Sequence, residues 1–96
     1  MPSVVRLPDF VITHGWTPQV YLAGSVTVLV NNLPVIRMGD PLSVHSSYSI
    51  PPVVHAGAVA VGSTSVLVEG RPVTRIGDAI SCGSVAGGGS ANVIAS

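Results

Sequence analysis

The chain has 96 residues, enough for one domain, and only 8% of them are charged, against roughly 25% in an ordinary soluble domain. Its four cations are Arg6, Arg37, Arg71 and Arg75 and the net charge is zero, so it lacks the basic patch that nucleic-acid binding requires. A single cysteine, Cys82, excludes an internal disulfide, and no run of about 18 apolar residues offers a membrane-spanning helix.

The N-terminus lacks the charged-then-apolar pattern of a signal peptide. Apolar residues make up 47% of the chain and aromatic residues 4%. Val, Ile and Ala dominate, which favours short strands over a thick aromatic core. Gly and Pro, 11 and 8 residues, interrupt the chain too often for long helices. The expected fold is all-β, in one domain over residues 1–96 with no toxin or effector extension. A domain this small and poor in aromatics calls for a staple.

Along the chain, Arg6-Leu7-Pro8-Asp9 comes first, and His14 follows Asp9 by five residues. Gly24–Val44 then aligns without gaps onto Gly62–Cys82, with 11 of 21 positions identical. The shared positions include Gly-Ser, Val-Leu-Val, Pro-Val and Arg-x-Gly-Asp. In the first of these units Val26, Val28 and Val30 alternate with other residues, as in a half-buried strand. Asn31-Asn32 and Glu69-Gly70 provide two-residue turns, because Asn and Gly tolerate positive φ. Pro34 and Pro72 limit the returning strands to short or edge positions.

Arg37-Met38-Gly39-Asp40 and Arg75-Ile76-Gly77-Asp78 close the two units. They read as turns in which Asp accepts local backbone N–H bonds and pairs with Arg. Gly83–Ser90 reads as a flexible or tightly turning loop. It is not a phosphate loop, since no Lys or helix start follows it. Gly89-Ser90-Ala91-Asn92-Val93 repeats the Gly-Ser-x-x-Val phrase. Together with Arg6–Asp9 it supplies a third copy split between the termini, and so implies pseudo-threefold architecture.

His45 lies five residues after Asp40, and Cys82 four after Asp78. The repeat therefore delivers His14, His45 and Cys82 to related places. His55 lies on the insertion Ser46–Ala56 and has no counterpart. Taken singly, a His is an ordinary surface or packed residue and a lone Cys a small buried hydrophobe. Taken together, three imidazoles and one thiolate make a tetrahedral set suited to Zn²⁺, with Fe as the other ion considered. Four protein ligands leave no position for a reactive water, which marks a structural site. Trp16, Tyr21 and Tyr48 share no spacing and read as packing or interface residues.

The phrases Pro34-Val35-Ile36-Arg37-Met38-Gly39-Asp40 and Pro72-Val73-Thr74-Arg75-Ile76-Gly77-Asp78 resemble the PAAR-repeat family. Arg6-Leu7-Pro8-Asp9, Thr13-His14-Gly15 and the Gly-Ser-x-x-Val phrases extend the resemblance over the chain. The alanines of the family name are Val-Ile and Val-Thr here, and Pro8 replaces a Gly.

The resemblance implies a small cone with pseudo-threefold symmetry. Its base would sit on a trimeric β-helical spike, of the VgrG type in type VI secretion or of a phage tail, with one chain per trimer. Its point would puncture a target membrane, and a metal near that apex would be held by His14, His45, His55 and Cys82. The Gly-Ser-x-x-Val strands would pair with the spike's exposed edges. Toxic effectors would ride non-covalently, no catalytic residues are expected, and the location is the tip of an injection apparatus or virion tail, after synthesis in the cytoplasm. The competing functions are a small metalloenzyme using the histidines, and a free-standing β-repeat adaptor that binds peptides at a sheet edge.

Overall fold

The computed structural model describes residues 2–96. It contains eight short strands: β1 (Val11–Ile12), β2 (Leu29–Val30), β3 (Leu33–Pro34), β4 (Pro41–Ser46), β5 (Val54–Ala58), β6 (Leu67–Val68), β7 (Arg71–Pro72) and β8 (Val85–Ala86). They pair antiparallel as β1–β8, β2–β3, β4–β5 and β6–β7. Among the described residues there is no helix, so the all-β expectation holds. The turn chemistry explains two of the hairpins. Asn31 and Asn32 have φ of 54° and 63°, and Glu69 and Gly70 have 55° and 80°, the backbone that a two-residue hairpin turn demands. The strands that return through Pro34 and Pro72 are each two residues long.

Three segments meet at the centre. Val5 N–H donates to the Thr74 carbonyl at 2.9 Å, Ile36 N–H to Val5 at 3.0 Å, and Thr74 N–H to Ile36 at 2.9 Å. Each segment thus donates to one neighbour and accepts from the other, and the ring closes. Bridges Arg6↔Val35, Arg37↔Val73 and Val4↔Arg75 flank it. Val5, Ile36 and Thr74 are all fully buried.

Each ring segment runs directly into an Arg–Asp turn. Asp9, Asp40 and Asp78 N–H groups bond back to the carbonyls of Arg6, Arg37 and Arg75. In every copy one carboxylate oxygen accepts from the Arg backbone N–H and Nε, while the other accepts from Nη2. Gly39 and Gly77 carry φ of 90° and 88°, so only a residue free of a Cβ takes this turn without strain. In the first copy the turn passes instead through Pro8, after a cis Leu7–Pro8 peptide.

The same Nη2 atoms reach the carbonyls of Gly89, Gly24 and Gly62 at 3.3 Å. Arg6–Asp9 therefore engages the Gly-Ser phrase at the other end of the chain.

The Gly-Ser-x-x-Val phrases are not strands. Ser25, Ser63 and Ser90 are buried, and each hydroxyl accepts the N–H groups two and three residues ahead. The hydroxyl competes with the sheet ladder and wins, giving a side-chain-closed turn. Val26, expected to be half-buried, is 89% exposed. The strand begins only at Leu29, and the alternation of valines over-reads it.

The segment 83–90 is also more ordered than a loop. It contains β8, which registers Ala86 against Val11. Gly87 and Gly88 face Phe10 so closely that a Cβ on Gly87 would stand 2.5 Å from the ring. Ser84 and Ser90 are buried.

The core has two parts. Val5, Tyr21, Ile36, Leu42, Val59, Ile80 and Ala86 form one, with Cys82 packed against it. Val4, Val35, Val68, Val73 and Ala95 form the other. The described residues extend over 42 × 23 × 21 Å. Among the described residues, no helix is long and apolar enough to cross a membrane.

Candidate metal centre

Four separate backbone features bring the site together. His14 sits on the turn after β1, followed by Gly15 at φ 84°. Thr17 ties this turn to the end of β4: its N–H donates to Ser46, and its hydroxyl accepts the Ser46 N–H at 2.9 Å. His45 lies in β4 and His55 in β5, directly opposite in register. Opposed residues of an antiparallel pair share a face, so the hairpin alone brings these two imidazoles together.

Cys82 lies on a tight turn closed by Gly83 N–H to the Ile80 carbonyl at 3.0 Å. That turn is stitched to β5 through Ser81, whose N–H reaches the Ala58 carbonyl and whose hydroxyl accepts the Ala58 N–H.

The repeat spacing carries one irregularity, and a bulge accounts for it. His45 follows its Asp by one residue more than Cys82 does. The β4–β5 register shifts between Leu42 and His45, where three steps on β4 face two on β5. The extra residue is absorbed there and the His side chain is re-aimed. Leu42 and Ile80, which align in the repeat, are both buried core residues.

One ligand atom from each of His14, His45, His55 and Cys82 lies within 4.8 Å of all the others. His55 Nε2 stands 2.5 Å from His45 Nε2 and 3.1 Å from His14 Nε2. Tetrahedral zinc at about 2.0–2.1 Å from nitrogen and 2.3 Å from sulfur separates its nitrogens by about 3.3 Å and its sulfur from nitrogen by about 3.6 Å. The cluster brackets those spacings.

The donor chemistry also asks for a cation. His45 Nδ1 lies 3.0 Å from the Thr17 carbonyl, which only accepts. Nδ1 therefore carries the proton, and Nε2 presents its lone pair to the cluster. A neutral imidazole nitrogen donates one hydrogen or accepts one. His55 Nε2 cannot do both for its two neighbours, whereas a shared cation satisfies all three nitrogens. The group can hold a metal ion.

Electrostatics favour the ligating forms. Burial, followed by the neighbouring His45 and His14, holds His55 below the ordinary histidine range and so keeps it neutral. Burial pushes the Cys82 thiol up, but its hydrogen bonding with Ser84, with Gln19 and with the backbone outweighs it and the net shift is downward.

The packing around the site contains residues that the sequence reading did not single out as part of it. Trp16 stacks on His55 at 4.0 Å between ring centroids with 16° between planes, and it also flanks His14 and His45. Gly57 passes so close to Cys82 that a Cβ there would lie 3.0 Å from Sγ. Gln19, only 4% exposed, lies beside the sulfur. Nothing in the local sequence marks Gln19, since its neighbours Pro18 and Val20 are exposed. Of the other aromatics, Tyr21 is in the core and Tyr48 is exposed.

A comparison with curated proteins finds no match. A comparison with protein families matches the PAAR motif over residues 13–87. That stretch runs from the His14 turn through the β4–β5 hairpin to β8, and it holds all four clustered ligands together with both ungapped repeat units. The match spans well over half of the sequence, and the chain belongs to the PAAR motif family.

Proposed function

We propose that this protein is a structural spike-tip protein. It caps the end of a trimeric β-helical spike, of a type VI secretion system or a phage tail, and sharpens it for puncturing a target membrane. One chain serves one trimer. His14, His45, His55 and Cys82 close around a zinc ion that locks the tip, and the protein is not an enzyme.

The observation that carries this reading is the closed ring of backbone bonds through Val5, Ile36 and Thr74, with the same Arg–Asp turn behind each member. On this reading the single chain offers three similar units, in a pseudo-threefold arrangement that would suit three equivalent ends of a trimer. The metal-ligand set supports the structural role. With four protein ligands, the ion has no position left for a substrate or a reactive water. Its chemistry here is to contribute folding free energy, on the order of 10 kcal/mol apparent in small domains. The four side chains do the rest: they come from chain segments far apart in sequence and cross-link them.

Two measurements test the reading. Elemental analysis of untagged protein should find about one zinc per chain, and iron in its place would change the ion but not the architecture. Size-exclusion chromatography with a trimeric β-helical spike should give a complex of one chain per trimer. Failure to bind any such spike would favour the sheet-edge adaptor.

A further inference from the structure

Gln19 is a polar side chain buried within a stretch whose flanking residues are exposed. Every hydrogen-bonding group of its amide is used. Nε2 donates to the Ser43 carbonyl at 3.0 Å, and Oε1 accepts from the Ser84 hydroxyl at 3.1 Å. Those two bonds determine which way the amide faces, because the reversed amide would set Oε1 against the Ser43 carbonyl. The second Nε2 hydrogen is then free for Cys82 Sγ, 3.6 Å away, and the sulfur also stands 3.7 Å from Oε1 and 3.5 Å from the Ser84 hydroxyl. Ser84, itself 1% exposed, has spent its hydrogen on Gln19 and serves as the anchor.

Ordering a long glutamine side chain costs rotamer freedom. A short apolar residue would fill a buried position at less cost in rotamer freedom. What the amide alone supplies is an oriented N–H donor to sulfur.

We propose that Gln19 is a positioning residue for the metal centre. Its anchored amide aims one N–H at Cys82 Sγ and so sets the sulfur's direction and its electron donation to the bound ion. The proposal rests on the reading of the cluster as a metal site. Hydrogen bonds to a ligating atom orient it and tune the metal, and removing one typically lowers metal affinity by about 10–100-fold.

The test uses Co²⁺ as a coloured stand-in for zinc. The wild-type chain should take up one Co²⁺ and show a sulfur-to-cobalt charge-transfer band. Gln19→Leu should move that band to lower energy, because the sulfur regains electron density, and weaken Co²⁺ binding about tenfold. Ser84→Ala keeps the amide but frees it, and should move the band the same way by less. It is also the milder change if the leucine variant folds poorly. Melting of the metal-free variants isolates any purely structural role. If both variants bind Co²⁺ with the wild-type band and affinity, and only metal-free melting falls, Gln19 is a packing residue and the proposal is overturned. If wild-type protein takes up neither Co²⁺ nor Zn²⁺, the metal reading itself fails and the proposal falls with it.

Discussion

His45 and His55 face each other across the β4–β5 hairpin, and their Nε2 atoms approach to 2.5 Å. Ten residues of chain separate them, yet strand register makes them neighbours. His14 and Cys82 reach the same point from elsewhere, by the Thr17–Ser46 and Ser81–Ala58 stitches. The site is therefore a cross-link between the β4–β5 hairpin and two turns distant from it in sequence.

Removal of one ligand should undo that cross-link. Cys82→Ser is expected to lower the melting temperature by at least about 10 °C, since each kcal/mol shifts a domain of this size by about 4–8 °C. Chelator should destabilise the wild type strongly and the variant hardly at all. Scanning calorimetry with and without chelator reads both effects, and equal melting of all four samples would remove the metal as a staple.

Gly57→Ala probes the same point sterically. The new Cβ would stand 3.0 Å from both Cys82 Cβ and Sγ, so the Cys82 side chain must shift from its place in the cluster. Zinc affinity should fall about tenfold, measured by competition with a chromophoric chelator. Unaltered affinity would mean that the Cys82 turn relaxes freely and that its position is not critical.

Thr74→Val should stabilise the protein. Thr74 is fully buried at the central ring, and its Oγ1 has no hydrogen-bond partner among the described residues. Valine keeps the branched shape and removes a hydroxyl that lost its water on folding. A gain of about 1 kcal/mol is expected in urea unfolding. A loss would reveal a partner for the hydroxyl that the fold does not display.

The three Arg–Asp turns should differ in sensitivity. Asp40 is 1% exposed and accepts from both Arg37 and Arg71, Asp78 is 6% exposed, and the Asp9 side chain is 14% exposed. Asp40→Asn removes the most deeply buried of the three carboxylates, which two guanidiniums share, and should cost the most, about 3 kcal/mol, with Arg37 keeping Glu69 as a second partner. Asp78→Asn should cost less, and Asp9→Asn least. Urea unfolding of the three variants checks the order, and equal losses would show that burial does not grade these pairs.

Much of the architecture is legible in the residues. The ungapped repeat of Gly24–Val44 in Gly62–Cys82 predicts two like units, and the Asn31-Asn32 and Glu69-Gly70 turns follow from which residues accept positive φ. Across the termini, Arg6 meets the Gly89 carbonyl as Arg37 meets that of Gly24. The valine alternation of residues 26–30 misleads for a definite reason. A buried serine hydroxyl captures the local N–H groups before a ladder can, and only the fold reveals that Ser25 is buried.

The sequence by itself determined the all-β class, the repeat, the local turns and the four residue types able to bind a metal, since each depends on local backbone preference or on composition. Only the tertiary structure decided that the four ligands converge, that a bulge in β4 re-aims His45, and that His55, which no repeat copy supports, lies opposite it. It also decided that Gln19 turns inward to the sulfur. These are matters of register and long-range packing: the ligands stand 10 to 68 positions apart in the chain, and repeat spacing related only His14, His45 and Cys82.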